Sequence, residues 1–381
     1  MRTFLRHAAM PALALALIGS PAFGQNYTQT NLVANTSGVA ATTDASLVNP
    51  WGISRGSGTP WWVSDNATGL STLYSGVGTK EGLVVTIPAA KTGATGSPTG
   101  TIYNDNKAAF LLPSGGNALF LFSTIDGLIV GWNGTAGATV TVKTTDGSEY
   151  TGLTSATANG QQYLYAANFS KGRVDVYNSA FQRVDFNAFG GVFGFDQPRF
   201  EDFFLPWGFV PFNVQAIGDD IVVTYALHLE GNAKETDGPG LGFVDIFSAD
   251  GRLLNRLEHG DWLNAPWGVA LAPLDFGTFS HDLLIGQFAG GGSTQSSGWI
   301  AAYDLATGTF KGLLENATGS PLTINGVWSL SPGNPASANN YDAAGAPAGE
   351  VYFTAGPNGG TAGLLGYISP VSADLTQGND Q

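Results

Sequence analysis

The sequence predicts an all-β protein, a six-bladed β-propeller closed by an N-terminal strand that becomes the outer strand of the last blade. Two observations support this prediction. A Trp motif recurs, as NPWG at 49–52, APWG at 265–268 and more loosely NGVW at 325–328. Groups of strand-like segments also follow six anchors that lie 48 to 61 residues apart, a spacing typical of four-stranded blades. The anchors are Gly52, Gly100, Gly152, Asn213, Gly268 and Gly326.

The first three groups each contain four runs of β-branched and aromatic residues separated by turn residues. The runs lie at 51–54, 61–66, 69–74 and 83–87, then at 98–102, 118–122, 128–132 and 139–142, and then at 150–153, 163–166, 173–177 and 183–186. Between two runs of the second group lies Asp126-Gly127, a hairpin signal. Each group is therefore predicted to form one antiparallel blade.

The fourth group has two possible starting points. A Pro-Trp-Gly sequence at 206–208 looks like the recurring motif, but the interval of 12 positions from Gly52 to Ser64 is repeated from Asn213 to Tyr225. We therefore expect this blade to be anchored at Asn213 and the segment 206–208 to be a loop. The later runs of the blade lie at 221–225, 243–247 and 253–257.

The last two groups complete the predicted ring. The fifth has runs at 267–269, 283–286, 299–303 and 313–314, and the sixth has runs at 327–330, 351–354 and 364–368. The sixth group is one strand short. The strand-like segment 27–33 precedes the first anchor, and adding it to the last blade would close the ring without a free sheet edge.

The N-terminus has the pattern of a secretory signal peptide. Arg2 and Arg6 precede an apolar run at 8–18, and small residues follow at Ala22 and Gly24. A short membrane anchor is the alternative, but the run is shorter than the roughly 20 residues that a spanning helix needs. We predict a signal peptide at 1–24, a propeller at 25–375, a frayed tail at 376–381, and a product exported to the periplasm or the medium, with no membrane span in the mature chain.

Composition restricts the possible partners and the source of stability. The formal net charge is −14, and the sequence has no basic stripe, so nucleic acid is not an expected partner. The acidity favours solubility, and we expect a monomer. The absence of cysteine excludes disulfides, so a large core must stabilise the fold, and 43% hydrophobic residues are available for it.

Successive strands of a blade reverse direction, so the start of the innermost strand and the end of the second strand lie on the same face of the disc. Side chains at these positions predict an axial binding site for a small molecule, a glycan or a protein. The ten candidates are Asn49, Trp51, Asp65, Asp126, Asn168, Phe212, Asn213, Asn264, Trp267 and Asn325. Hard oxygen ligands among them also suit Ca²⁺. The candidate calcium ligands are Asp65, Asn168, Asn213 and Asn264.

Structural roles are open for the same residues. Trp beside Pro and Gly often packs between neighbouring blades, because aromatic side chains bury large areas. Asp and Asn at strand ends often bond to the backbone of their own turn. The histidines His228, His259 and His281 do not have zinc-ligand spacing, and no Gly-x-Ser-x-Gly elbow indicates a serine hydrolase.

Five ordered segments read LVNPWGI at 47–53, PFNVQ at 211–215, GPGLGFVD at 238–245, LNAPWG at 263–268 and YFTAGPN at 352–358. Together they resemble an uncharacterised family of secreted bacterial β-propellers that is similar to NHL-repeat and gluconolactonase-like propellers. The resemblance implies export and a propeller fold, and it implies no established reaction.

Three functional hypotheses follow. The first is an exported propeller that binds a ligand or partner on its axial face without catalysis. The second is a Ca²⁺-dependent lactonase or lyase of the gluconolactonase-like kind, which needs an axial carboxylate as base. The third is a structural surface or matrix protein, which would self-associate.

Overall fold

The computed structural model describes residues 26–186, 199–289, 298–333 and 349–371. The predicted signal peptide at 1–24 and tail at 376–381 lie outside the described residues. Within the described ranges, no helix is long and apolar enough to cross a membrane.

The regular secondary structure of the described chain is almost entirely β-strand, arranged in six sheets, and the predicted six-bladed propeller is confirmed. The described chain begins with two strands of the last blade, β1 Tyr27–Ala34 and β2 Thr42–Thr43. The strands of blades 1 to 3 are β3 Pro50–Ser54, β4 Trp61–Asp65, β5 Leu70–Tyr74, β6 Lys80–Thr86, β7 Pro98–Tyr103, β8 Phe120–Thr124, β9 Leu128–Trp132, β10 Thr139–Lys143, β11 Tyr150–Ala158, β12 Gln161–Asn168, β13 Arg173–Asn178 and β14 Arg183–Val184. The strands of blades 4 to 6 are β15 Phe209–Ile217, β16 Asp220–Leu227, β17 Gly242–Ser248, β18 Leu253–Arg256, β19 Pro266–Leu271, β20 Leu283–Gln287, β21 Ile300–Tyr303, β22 Phe310–Leu313, β23 Val327–Pro332, β24 Val351–Ala355 and β25 Leu364–Pro370. Two short turns of helix, Gly277–Phe279 and Pro357–Gly360, lie between strands.

The N-terminal strand closes the ring as predicted. Strand β1 pairs antiparallel with β25, from Tyr27 opposite Pro370 to Ala34 opposite Leu364. The short strand β2 adds to the outer edge of β1 in parallel, so the last sheet has the order β2, β1, β25, β24, β23. The first and last parts of the described chain therefore share one blade.

Burial explains why the middle strands read as continuous apolar runs. Every residue of β4, β8, β9, β20 and β24 is buried, because each blade packs against a neighbour on both faces. Trp62 of blade 1, for example, stacks on Phe120 of blade 2 at a centroid distance of 4.0 Å. The outer strands β10 and β18 alternate between partly buried and exposed residues, as expected for strands with one solvated face.

The starting point of blade 4 agrees with the spacing argument. Asn213 pairs with Thr224 in the inner part of the blade, and the inner strand itself begins earlier, at Phe209. Trp207 precedes the strand and is 82% exposed, so the Pro-Trp-Gly sequence at 206–208 does not occupy the position of the recurring motif.

Candidate functional site

Equivalent residues of the six blades form a first and a second ring around one end of the axis. In five blades, a backbone hydrogen bond joins two residues just outside the paired part of the two innermost strands. The donor is the N–H of the residue that follows the second strand, and the acceptor is the carbonyl of the residue just before the first paired residue of the innermost strand. These bonds are Asn66 to Asn49, Ile125 to Ser97, Phe169 to Glu149, Phe288 to Ala265 and Gly356 to Gly326, at 2.8 to 3.2 Å. In blade 4 the paired Val210 and Ala226 occupy the same places. We call the acceptors, with Val210, the first ring and the donors, with Ala226, the second ring.

A third ring lies at the β-bulge that interrupts the pairing of every inner strand with its neighbour. Its members are Trp51, Thr99, Thr151, Phe212, Trp267 and Trp328. Four of the six are aromatic, and they belong to the consecutive blades 4, 5, 6 and 1. The third ring therefore has one aromatic side and one side with two threonines.

The aromatic side is closely packed. Trp51 and Trp328 stack with their ring centroids 3.7 Å apart and an interplanar angle of 19°. Trp267 meets both edge-on, at 6.1 and 5.9 Å, and Phe288 stacks on Trp328 at 4.3 Å. Such stacked and edge-to-face pairs are the favoured aromatic geometries. This cluster forms an apolar wall made by blades 5, 6 and 1.

The three rings border a cavity of about 260 Å³ that receives residues from all six blades. Its lining is mostly apolar, with a polar minority near the rings and on the loop after β16. The lining residues are Asn49, Trp51, Asn66, Ser97, Ile125, Glu149, Thr151, Phe169, Phe212, Ala233, Lys234, Glu235, Phe288, Trp328, Gly359 and Gly360. A concave, largely apolar site with a few polar groups is the usual form of a small-molecule site.

A chain of side-chain hydrogen bonds holds one wall of the cavity. The Trp328 indole N–H donates to Asn49 Oδ1 at 2.9 Å, and Asn49 Nδ2 donates to Asn66 Oδ1 at 3.3 Å. Asn66 Nδ2 in turn donates to the Pro98 carbonyl at 3.1 Å. The chain joins blades 6, 1 and 2, so it fixes the orientation of Trp328 relative to two neighbouring blades.

Two half-buried carboxylates, Glu149 and Glu235, face the cavity from different blades. Burial raises the pKa of each, and the charge of His228 acts in the opposite direction on both. The His228 ring lies against Phe169 at 4.5 Å. Acids whose pKa is raised by burial in a cavity are one signature of acid–base chemistry.

Three predicted residues line the cavity, namely Asn49, Trp51 and Phe212. Trp267 packs in the aromatic cluster, where its indole N–H donates to the Thr151 carbonyl at 3.0 Å. Asn325 is half-buried beside the first ring and does not line the cavity, and its Oδ1 accepts no hydrogen bond within the described residues.

The remaining predicted residues lie inside blades or in turns. Asp65 accepts a hydrogen bond from Thr72 of its own blade at 2.7 Å, and Asn168 donates to Asp175 at 2.6 Å. Asp126 accepts from the Ala90 backbone N–H at 2.6 Å in a hairpin turn.

Asn213 and Asn264 have structural contacts that link elements. Asn213 Nδ2 donates to the Trp267 carbonyl at 2.7 Å, which ties blade 4 to blade 5. Asn264 Oδ1 accepts from the Gly238 N–H at 2.8 Å and holds the end of the loop after β16.

The four predicted calcium ligands, Asp65, Asn168, Asn213 and Asn264, each bond to a different partner in the protein. Within the described ranges, no group of three His, Cys, Asp or Glu side chains could hold a metal ion. Burial raises the pKa of Asp65 well above its usual range. A Ca²⁺ ion shared by these four residues stays a prediction.

The strand period explains which lining residues the sequence analysis missed. Asp65, Asn168 and Gln287 end the second strands, whereas the next residues line the cavity. Of these, Asn66 is a strand-end position that the sequence also places on the axial face, and Phe169 and Phe288 were missed. Adjacent residues of a strand point to opposite sides. A candidate chosen one position too early therefore has its side chain inside the blade, and its neighbour has its side chain in the cavity. Ser97 and Glu149 occupy the same place in their blades as Asn49, so an alignment of the six blade sequences could have identified them. Lys234 and Glu235 lie in a loop that has no counterpart at a fixed position of the repeat.

Comparison with known sequences finds relatives in a virus. The chain is similar to two uncharacterized proteins of Acanthamoeba polyphaga mimivirus, each 28% identical. One match spans 346 residues, which is 88% of this chain and 78% of the relative, and the other spans 348 residues, 88% and 84%. No protein-family model matches the chain. These relatives do not support the bacterial source that the sequence resemblance implies.

Comparison with solved structures supports the fold. The apo aldose sugar dehydrogenase of Escherichia coli matches with a TM-score of 0.52 and 11% identity, over 91% of this chain and all of that chain. The PQQ-bound aldose sugar dehydrogenase of Streptomyces coelicolor matches with a TM-score of 0.50 and 10% identity, over 92% of this chain and all of that chain. At these identities the likeness identifies the β-propeller fold alone.

Proposed function

We propose that this protein binds a small organic molecule in the axial cavity. The observation that carries the proposal is the cavity of about 260 Å³, to which all six blades contribute and in which aromatic rings face two half-buried carboxylates. Its size is just below the range of about 300–1,000 Å³ for sites of drug-sized ligands, so a small ligand is expected.

The composition of the lining supports a ligand with an apolar surface and a few polar groups. Phe169, Phe212 and Phe288 offer apolar contact area. Burial of apolar surface contributes roughly 25 cal/mol for each Å² removed from water. Thr151 and Asn66 offer hydroxyl and amide groups that can orient a ligand. Hydrogen bonds from Trp328 to Asn49 and from Asn49 to Asn66 hold one wall in place, and a fixed wall lowers the ordering cost of binding.

A fragment screen by thermal shift, followed by calorimetry on the hits, tests this proposal. Ser97→Trp would place a large side chain at the cavity border, and Ala317→Trp adds the same side chain at an exposed turn away from it. We expect hits that bind the wild type and Ala317→Trp and lose at least about tenfold in affinity with Ser97→Trp, which corresponds to about 1.4 kcal/mol. Hits that bind Ser97→Trp as well as the control, or a screen without hits, would reject the axial site.

A lactonase or lyase is the second candidate, and the pair of cavity carboxylates favours it. Glu149 and Glu235 have pKa values raised by burial and lie near His228, a set that could supply a general base and a general acid. Turnover of a panel of lactones and uronates should then fall at least about 100-fold with Glu149→Gln or Glu235→Gln. Assays with added Ca²⁺ and with a chelator test the metal dependence separately. The absence of turnover under both conditions removes this candidate.

The third candidate, a structural surface protein, predicts self-association. Sedimentation at several protein concentrations distinguishes it from the expected monomer. A single species across a wide dilution range supports the monomer, and a mass that grows with concentration supports the structural role.

A further inference from the structure

We infer that the axial cavity selects an organic cation, an amine or quaternary ammonium group, over neutral and anionic ligands of the same shape. The inference rests on the proposed function and specifies its ligand class. It follows from a cavity in which aromatic side chains lie beside two carboxylates that form no ion pair within the described residues.

The first step is the state of the two acids. Within the described residues, neither the Glu149 nor the Glu235 side chain forms an ion pair or accepts a hydrogen bond from another residue, although both are half-buried and line the cavity. Other buried acids of the chain do have partners. Asp44, for example, lies 2.8 Å from the Lys80 ammonium. A carboxylate removed from water without a partner is unfavourable, and a bound cation would relieve that cost at two positions.

The second step is the aromatic lining. Trp51, Phe169, Phe212 and Phe288 border the same space, and Trp328, which stacks on Trp51 and on Phe288, supports two of these rings from behind. The face of an aromatic ring carries partial negative charge, so a cation within about 6 Å of the ring is attracted to it. Apolar contact alone does not distinguish a charged ligand from a neutral one, whereas the ring faces and the carboxylates both favour the cation.

The basic groups near the cavity oppose this preference without cancelling it. Lys234 is the one basic residue that lines the cavity in the described part of the chain, and it is exposed and forms no ion pair there with Glu235. The Lys234 charge acts on Glu235, the exposed Lys171 acts on Glu149, and His228, outside the lining, acts on both. An anion would meet two carboxylates and one lysine, and a neutral ligand would leave both acids unpaired.

Three probes of nearly equal shape test the inference by calorimetry at pH 8. They are choline, its neutral isostere 3,3-dimethylbutan-1-ol, and the anion 3,3-dimethylbutanoate. We expect choline to bind at least about tenfold more tightly than the alcohol, and the anion to bind most weakly.

Variants with opposite expected signs separate charge recognition from folding. Glu149→Gln and Glu235→Gln should each weaken choline binding about fivefold and leave the alcohol unchanged, whereas Lys234→Met should strengthen choline binding. Glu81→Gln on the outer strand of blade 1 is the matched control, since it removes the same charge away from the cavity. Melting temperatures of all variants show whether each one is folded.

The outcomes distinguish this inference from the proposed function. Equal affinity for choline and the alcohol, or tighter binding of the anion, overturns the cation preference while binding itself stands. If none of the three probes binds but other fragments do, the cation preference is also rejected. If no fragment of any charge binds, the proposed function fails as well.

Discussion

The Trp328 indole N–H donates a hydrogen bond to the side-chain oxygen of Asn49 over 2.9 Å, although the two residues are 279 positions apart in the chain. Trp328 belongs to the inner strand of blade 6 and Asn49 precedes the inner strand of blade 1, so the bond crosses the junction where the ring closes. Strand β1 closes the same ring at its outer side. Two interactions therefore close the ring, the pairing of β1 with β25 at the outer side and the Trp328–Asn49 hydrogen bond beside the cavity.

Substitution of Asn49 tests the inner contact. The residue has a left-handed backbone with φ of +49°, which Asn and Gly adopt more easily than Ala. Asn49→Gly should lose only the side-chain bonds to Trp328 and Asn66, at about 1–2 kcal/mol. Asn49→Ala should cost about 1 kcal/mol more, because it adds backbone strain. Denaturant unfolding measures both values, and an Ala variant as stable as the Gly variant would show that the backbone conformation carries no cost.

Close packing of inner strands predicts a second effect. A Cβ added to Gly100 would lie 2.3 Å from the backbone nitrogen of Leu153 in the next blade, so Gly100→Ala forces neighbouring backbones apart. We expect it to destabilise the protein by about 2–4 kcal/mol. Gly82 of the outer strand β6 has no atom within 4 Å of the same added Cβ. Gly82→Ala is the matched control, and it should be neutral or stabilise by up to about 1 kcal/mol. Equal melting temperatures for the two variants would contradict the packing.

Two aspartates of blade 1 and its junction predict opposite effects of pH on stability. Burial raises the pKa of Asp65 well above its usual range, and its Oδ1 has no hydrogen-bond partner within the described residues. Burial alone would also raise the pKa of Asp44, but hydrogen bonds from Lys80 and Tyr74 and the Lys80 charge lower it overall.

The direction of the pH effect follows from whether the folded or the unfolded state binds the proton more tightly. The folded protein holds the Asp65 proton more tightly than the unfolded chain, so the Asp65 contribution is present below pH of about 4 and is lost as pH rises. Asp65→Asn, which copies Asn168 of blade 3, should gain stability relative to wild type as pH rises from 4 to 8, by at least about 1 kcal/mol at pH 8. If this difference is independent of pH, Asp65 is not held as the neutral acid.

Asp44 provides the comparison with the opposite sign. Its stabilising contribution is present above its usual pKa and is lost as pH falls through the lowered folded value. Asp44→Asn should therefore cost about 1–3 kcal/mol at pH 7, a range that allows for the 34% exposed Lys80 side chain, and less at pH 3. The free energy of unfolding at both pH values checks this, and a larger loss at pH 3 would contradict the ion pair.

The fold was more predictable from sequence than the site because it depends on many repeated weak signals. Strand runs around six anchors remain in phase even when single boundaries move, as when the inner strand of blade 4 begins at Phe209 and not beside Asn213. Site prediction depends on single positions. Asp65 and Asn168 attract notice as polar residues at strand ends, yet Asn66 and Phe169 one position later line the cavity.

Some members of the site could not be predicted from local pattern. Lys234 and Glu235 reach the cavity from an irregular loop between β16 and β17, whose path depends on contacts such as the bond from the Gly238 N–H to Asn264. That contact joins residues 26 positions apart and follows from no periodic rule. The loop position is therefore a tertiary property, whereas the ring positions follow from strand pairing.

Ring closure by the N-terminal strand gives the last prediction. Tyr27 of β1 is 1% exposed, and its hydroxyl donates to the Phe276 carbonyl of blade 5 at 2.9 Å while its ring packs on Phe276. Tyr27→Phe keeps the packing and should cost about 1 kcal/mol. Tyr27→Ala removes a large buried side chain and should cost about 3–5 kcal/mol. Thr28→Ala is the control on the exposed side of the same strand; it removes the hydrogen bond between the Thr28 and Ser369 hydroxyls at 3.1 Å and should cost at most about 1 kcal/mol. If Tyr27→Ala unfolds at the same denaturant concentration as Thr28→Ala, the packing of β1 against blade 5 does not hold the ring closed.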